Sequence, residues 1–150
     1  MKSMKPTFYQ KIVAHVNRKA WWHVLPQDLT VYRKRGTFLS SSFKEAEFWG
    51  RPLDEPQRVS IEKPLVGDED AIEKKLFGKR VSTEHITLRE RWNLDAKMKR
   101  AARARGYDSI LLMSRKAFSE FKATGKPPRS LELNIFQIRQ LKPRRPAPRA

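Results

Sequence analysis

Short strand-like runs alternate with capped helical segments over most of this 150-residue chain, and that alternation narrows the fold more than any other feature. Residues 20–25 (AWWHVL) read as a strand stopped by Pro26, with further short strands over 29–33 and 37–40. Ser42 and Glu45 form a capping box that opens a short helix ending at Gly50. Residues 57–62 (QRVSIE) alternate with period two, as a half-buried strand does. Residues 68–77 read as a helix with acids in its first turn and Gly78 after it. The longest helical stretch covers 88–105 and stops at Gly106. Residues 108–113 (DSILLM) form a buried strand, Ser114 caps a helix through about residue 123, and 131–136 (LELNIF) is the last strand. Strands and helices this short and this mixed predict an α+β fold with two small sheets.

The ends differ from the middle. Residues 1–19 carry Lys2, Lys5, Lys11, Arg18 and Lys19 without an acid, and Phe8, Tyr9, Ile12, Val13 and Val16 recur at helical spacing, so a basic arm or docking helix is expected there. Residues 142–150 are Pro and Arg with almost nothing to bury, and a disordered tail is expected. The folded domain is placed at 20–141.

Composition then excludes several classes. Without cysteine there is no disulfide framework, thiolate zinc site or cysteine nucleophile. Three His (His15, His23 and His85) make a His-rich metal site an unexpected one, and no metal is assigned. No apolar run approaches the roughly 18 residues of a membrane span. The basic N-terminus leads into no apolar h-region before Trp21, so a cytoplasmic protein away from the membrane is expected. With 33 Lys and Arg against 16 Asp and Glu, the net charge is +17, which attracts nucleic acid or an acidic protein.

Three places carry chemistry. His23 lies in the first strand; alone, it reads as a structural imidazole making one hydrogen bond. Phe38 sits where the strand 37–40 ends, its ring suited to stacking on a flat ligand, while the neighbouring Ala46, Phe48 and Trp49 read as core. Glu132 stands mid-strand between Leu131 and Leu133 with Asn134 on its own face. It is either a solvent-facing residue of an edge strand or a carboxylate lining a cleft.

In this order, WWHVLP, TFLSSSFKEAEFWG, QRVSIEKPLVGDE, RGYDSILLM and ELNIFQIRQL resemble the ADP-ribosyltransferase fold in its diphtheria-toxin-like and poly(ADP-ribose)-polymerase-like branch, and small phage and bacterial enzymes of this kind share the layout. The resemblance covers residues 20–141 and rests on order and spacing. It implies two small mixed or antiparallel sheets around an NAD cleft with flanking helices. It also implies transfer of ADP-ribose from NAD to a protein or nucleic-acid acceptor, as a phage or bacterial effector. His23 matches the strand-one His that bonds the adenosine ribose, and Val24 follows it toward the nicotinamide amide. Phe38 matches the aromatic that stacks on nicotinamide, with Ser40 and Ser41 at the pocket edge. Glu132 matches the glutamate that holds the nicotinamide-ribose 2′-hydroxyl.

Departures accompany the match. Val24-Leu25 replaces a small pair, and Phe38 replaces the usual Tyr. Tyr32-Arg33 and Ser40-Ser41-Ser42 suit the other branch of the fold, with its Arg and its Ser-Thr-Ser-like motif, but that branch's second acid is Ser130 here. The helix 88–105 carries Arg89, Arg91, Lys97, Lys99, Arg100, Arg103 and Arg105 against Glu90 and Asp95. Arg89, Arg91, Lys99, Arg100 and Arg103 are therefore the expected docking cations for a polyanion or acceptor. The competing function is a non-catalytic basic nucleic-acid-binding or assembly protein. A nuclease ranks last for want of clustered carboxylates.

Overall fold

Side chains at the helix N-termini determine where each helix begins. The computed structural model describes residues 5–25, 35–42, 51–52, 56–82 and 85–142, with 23–25, 51–52 and 138 described by backbone alone. Helix α1 (Pro6–Arg18) starts on a proline, whose missing N–H has no partner to lose at that position. Helix α2 (Glu69–Phe77) follows Asp68, whose carboxylate accepts from the Ala71 N–H at 2.7 Å. In front of α3 (Leu88–Ala104), Thr87 and Glu90 cap each other's backbone reciprocally. Ser114 caps α4 (Arg115–Thr124).

The strands are β1 (Trp22–Leu25), β2 (Thr37–Ser40), β3 (Arg51–Pro52), β4 (Arg58–Val59), β5 (Pro64–Gly67), β6 (Ser109–Leu112), β7 (Glu132–Ile135) and β8 (Leu141–Lys142). Six of them form one sheet in the order β3-β1-β2-β7-β6-β5, and β4 pairs with β8 in a separate ribbon. Among the described strands only β5 and β6 pair in parallel, joined through α2 and α3. The fold is thus α+β with two sheets, one much larger than the other.

Alternation along the strands divides the sheet's two faces. Leu39, Leu111, Leu133 and Ile135 pack with Ile12 and Val16 of α1 and Phe118 and Phe121 of α4. Leu65 and Ile110 pack on the other face with Ile72 and Leu76 of α2 and Leu94, Met98 and Ala102 of α3. The result is three layers, with a core on each side of the sheet.

Several expectations change at this level. Of the arm or docking helix expected over 1–19, the described residues 5–19 form helix α1, which is not set apart from the rest of the domain. Ile12 and Val16 are fully buried, the Tyr9 hydroxyl donates to Pro64 O at 2.6 Å, and Asn17 exchanges two hydrogen bonds with the Ile61 backbone. At the other end Lys142 is not tail: it pairs with Arg58 in the ribbon, and the rest of the expected tail lies outside the described residues. The strand expected over 57–62 is ladder only at Arg58–Val59, with an isolated bridge from Gln57 to Trp21. The sheet strand is instead PLVG, whose unalternating apolar run suits a parallel strand covered on both faces. Pro64 is tolerated because it opens a strand at the sheet edge. The strand over 29–33 and the helix opened by the Ser42 capping box fall outside the described residues.

Candidate functional site

Strand register sets which residues meet. Ser40 stands opposite Trp22 on one side and Glu132 on the other, and Glu132 stands opposite Leu112. Two residues along, Phe38 is opposite Asn134, on the same face as Ser40 and Glu132. The sheet therefore brings Phe38, Ser40, Glu132 and Asn134 together on its two central strands. His23 is opposite Leu39, in the row that continues into Leu133 and Leu111, so register assigns its position to the other face of the sheet from Phe38, Ser40 and Glu132. Val24 pairs with Pro52.

Glu132 is half-buried and lies in a cleft of about 860 Å³ between the N-terminal ends of α2 and α4. Of the two readings open at the sequence level, edge strand or cleft, the position is a cleft on an interior strand. The two walls differ in charge. On the α2 side, Lys74 and Arg80 are tied to Asp70 and Glu69. On the α4 side, Arg115, Lys126 and Arg129 stand with Glu120 as the acid beside them.

The serines divide their work. The Ser40 hydroxyl is almost fully buried and accepts from the Ser42 N–H at 3.1 Å. Ser41 is a ladder extension: its N–H donates to Leu131 O, and its hydroxyl accepts from the Leu131 N–H at 2.8 Å. Ser41 thus fastens β2 to the start of β7 and fixes the register that sets Ser40 against Glu132.

One face of Phe38 is already taken. The Arg35 guanidinium sits 5.0 Å from the Phe38 ring centroid and 5.7 Å from that of Trp92. Arg35 donates to Asp95 through Nε at 3.1 Å and Nη2 at 3.0 Å. Arg91 bridges from Asp95 (3.4 Å) to Glu69 (2.7 Å), and Arg80 continues the chain to Glu69 and Glu73. Burial pushes the Asp95 carboxyl above its usual range, against the pull of Arg91 and Arg35. This network locks the start of β2 onto α3.

Gly36 completes that lock. Its φ of 94° lies in the left-handed region, and a Cβ there would overlap the Asn134 carboxamide. Asn134 in turn donates from Nδ2 to Arg35 O at 2.8 Å.

The expected docking cations separate into three kinds. Arg89, Arg100 and Arg103 are exposed. Arg91 is corrected: its guanidinium is held by Glu69 and Asp95 and faces inward. Lys99 is half-buried, and burial together with the Arg103 charge lowers its pKa. Sequence reasoning missed Trp22, Arg35 and Trp92. The signal for Trp22 is period-two alternation along β1, which separates it from His23 and sets it in the row of Ser40. Arg35 had no local signal; its partner Asp95 is 60 residues away.

Among the described residues, no group of three or more His, Asp and Glu could hold a metal ion, and no helix is long and apolar enough to cross a membrane. Comparison with known proteins finds no family model, no curated protein and no solved structure that matches the chain.

Proposed function

We propose that the chain transfers ADP-ribose from NAD to an acceptor, with Glu132 as the catalytic carboxylate. The observation that carries this reading is Glu132, paired with Ser40 across two central strands and, among the expected catalytic and NAD-binding residues with described side chains, alone in lining a cleft of about 860 Å³. That volume is in the range of small-molecule sites, roughly 300–1,000 Å³. NAD is here a substrate. The bond from ribose C1′ to the nicotinamide nitrogen breaks, nicotinamide leaves neutral, and the acceptor's nucleophile bonds to C1′ and loses its proton to water. The sugar passes through an oxocarbenium-like state, which a fixed carboxylate at the 2′-hydroxyl orients and stabilises. Ser40 and Ser41 hold the strands that position Glu132. The family resemblance also implies Phe38 for the nicotinamide ring and His23 and Val24 for the adenosine ribose and the nicotinamide amide; of these, Phe38 shares the sheet face of Glu132 and the His23 position does not.

The test is release of nicotinamide from NAD by the purified chain, supplied with cell extract as a source of acceptors. Glu132→Gln is expected to slow release by about a hundredfold or more, the usual cost of one transition-state contact, with an unchanged circular dichroism spectrum. Phe38→Ala is expected to raise the Kd for NAD about fivefold, in line with ~1 kcal/mol for a stacked ring. Equal rates for wild type and Glu132→Gln remove Glu132 from the reaction, and a wild-type chain that releases no nicotinamide sinks the reading.

A further inference from the structure

The outward side of α3 presents a line of cations. Leu94, Asp95, Met98 and Ala102 are buried, which turns Arg89, Asn93, Lys97, Arg100, Arg103 and Ala104 to the outside. From Arg89 to Arg103 the helix rises ~21 Å. None of Arg89, Lys97, Arg100 and Arg103 forms an ion pair with a described residue, whereas Arg91, on the inner side of the same helix, holds two carboxylates. The acids of α3 do not offset the line. Asp95 is buried and paired with Arg35 and Arg91, and Glu90, at the capped N-terminal end, pairs with none of the four cations.

We propose that this face of α3 binds the phosphate backbone of a nucleic acid, through Arg89, Lys97, Arg100 and Arg103. The inference goes beyond the transferase reading and does not depend on it. Charge complementarity selects the occupant. A protein interface buries an apolar or aromatic centre, and the line has none; Leu88, 64% exposed, stands at its head. An amphipathic helix on a membrane needs its apolar side free, and here that side is in the core. Alanine at 96 and 104 leaves the cations standing clear of their neighbours, so a backbone can approach closely along the helix.

The experiment is fluorescence anisotropy with a labelled 20-base-pair duplex and its single strand, without NAD, across a salt series. The variant is Arg89→Gln/Lys97→Gln/Arg100→Gln/Arg103→Gln. Its control removes the same charge from the opposite layer: Lys5→Gln/Lys11→Gln/Arg18→Gln/Lys116→Gln. All eight side chains are exposed, so both variants are expected to keep the wild-type unfolding midpoint. The α3 variant is expected to bind duplex at least about tenfold more weakly at 0.1 M salt, with its log–log salt slope shallower by up to ~3.6, since each of four duplex phosphate contacts contributes ~0.9. The control variant is expected to keep most of the wild-type affinity. Equal losses in the two variants, or wild-type affinity in the α3 variant, overturn the proposal. So does a poly-glutamate peptide of equal charge that binds as tightly as the duplex, which would assign the face to an acidic protein. Because NAD is absent throughout, failure here leaves the nicotinamide-release test unaffected.

Discussion

Gly36 shows how much one residue can decide in this chain. It carries a left-handed φ, and the space where a side chain would begin is filled by Asn134. Gly78 shares the left-handed φ, but a methyl group there would meet nothing within 4 Å. The two sites therefore separate backbone strain from overlap. Gly78→Ala is expected to cost about 1 kcal/mol, the conformational penalty alone. Gly36→Ala is expected to cost at least about 3 kcal/mol, because the Asn134 bond to Arg35 O must also move. Urea unfolding of the two variants is the measurement, and equal losses would mean that Asn134 yields without cost.

At the scale of elements, polar contacts on buried carboxylates join helices to the segments beside them. Glu73 of α2 has no exposed surface, yet it accepts from the Val81 N–H (2.8 Å), the Ser82 N–H (2.7 Å) and the Ser82 hydroxyl (2.6 Å). Burial disfavours its charge, but those Ser82 and Val81 bonds, with Arg80 nearby, outweigh burial and hold the carboxyl below its usual range. The sign follows from linkage. A carboxyl depressed in the folded state adds stability above its unfolded pKa and loses it as pH falls through the folded value. The chain is thus expected to lose stability as pH drops below about 4.5, the ordinary range of a glutamate. Glu73→Gln is expected to cost about 2 kcal/mol at neutral pH and to flatten that acid limb. Asp95 works in the opposite sense: its raised carboxyl gains relative stability as it protonates. An acid limb equally steep in Glu73→Gln would assign the loss to other carboxylates. Melting temperatures recorded from neutral pH to pH 3 decide it.

The whole molecule carries +17 on 150 residues, and that surplus repels itself in the compact state. The intramolecular ion pairs cluster at the junction of α2, α3 and the start of β2, where Asp70, Glu69, Glu73 and Asp95 are engaged. The exposed cations Arg89, Lys97, Arg100 and Arg103 of α3 lie outside that cluster. Moderate salt screens exposed repulsion more than it weakens partly buried pairs. Raising sodium chloride from about 20 mM to about 0.3 M shortens the Debye length about fourfold. The melting temperature is therefore expected to rise by a few degrees. A fall on adding salt would mean that the paired cluster matters more to stability than the surplus.

Much of this was open to reading from the residues in order. Asp68, Ser114 and the glycines after α2 and α4 mark helix ends through local hydrogen bonds and backbone freedom, so they are visible in the sequence. Burial of Leu131 and Leu133 followed from alternation, and so did the shared face of Glu132 and Asn134. The strand PLVG was hidden, because a short apolar run without alternation has no period to betray it. Packing of α1 into the core was hidden too, since a basic amphipathic segment looks the same whether its apolar side meets its own sheet or another surface. By itself, the sequence determined the described helices, the strands at 37–40, 109–112 and 132–135 and which of their residues share a face, because those depend on neighbours within a few positions. Only the tertiary structure decided that Ser40 meets Glu132, that Arg35 covers Phe38 and that Arg91 is held inward. Strand order and register are set by packing between distant segments, and no local preference encodes them.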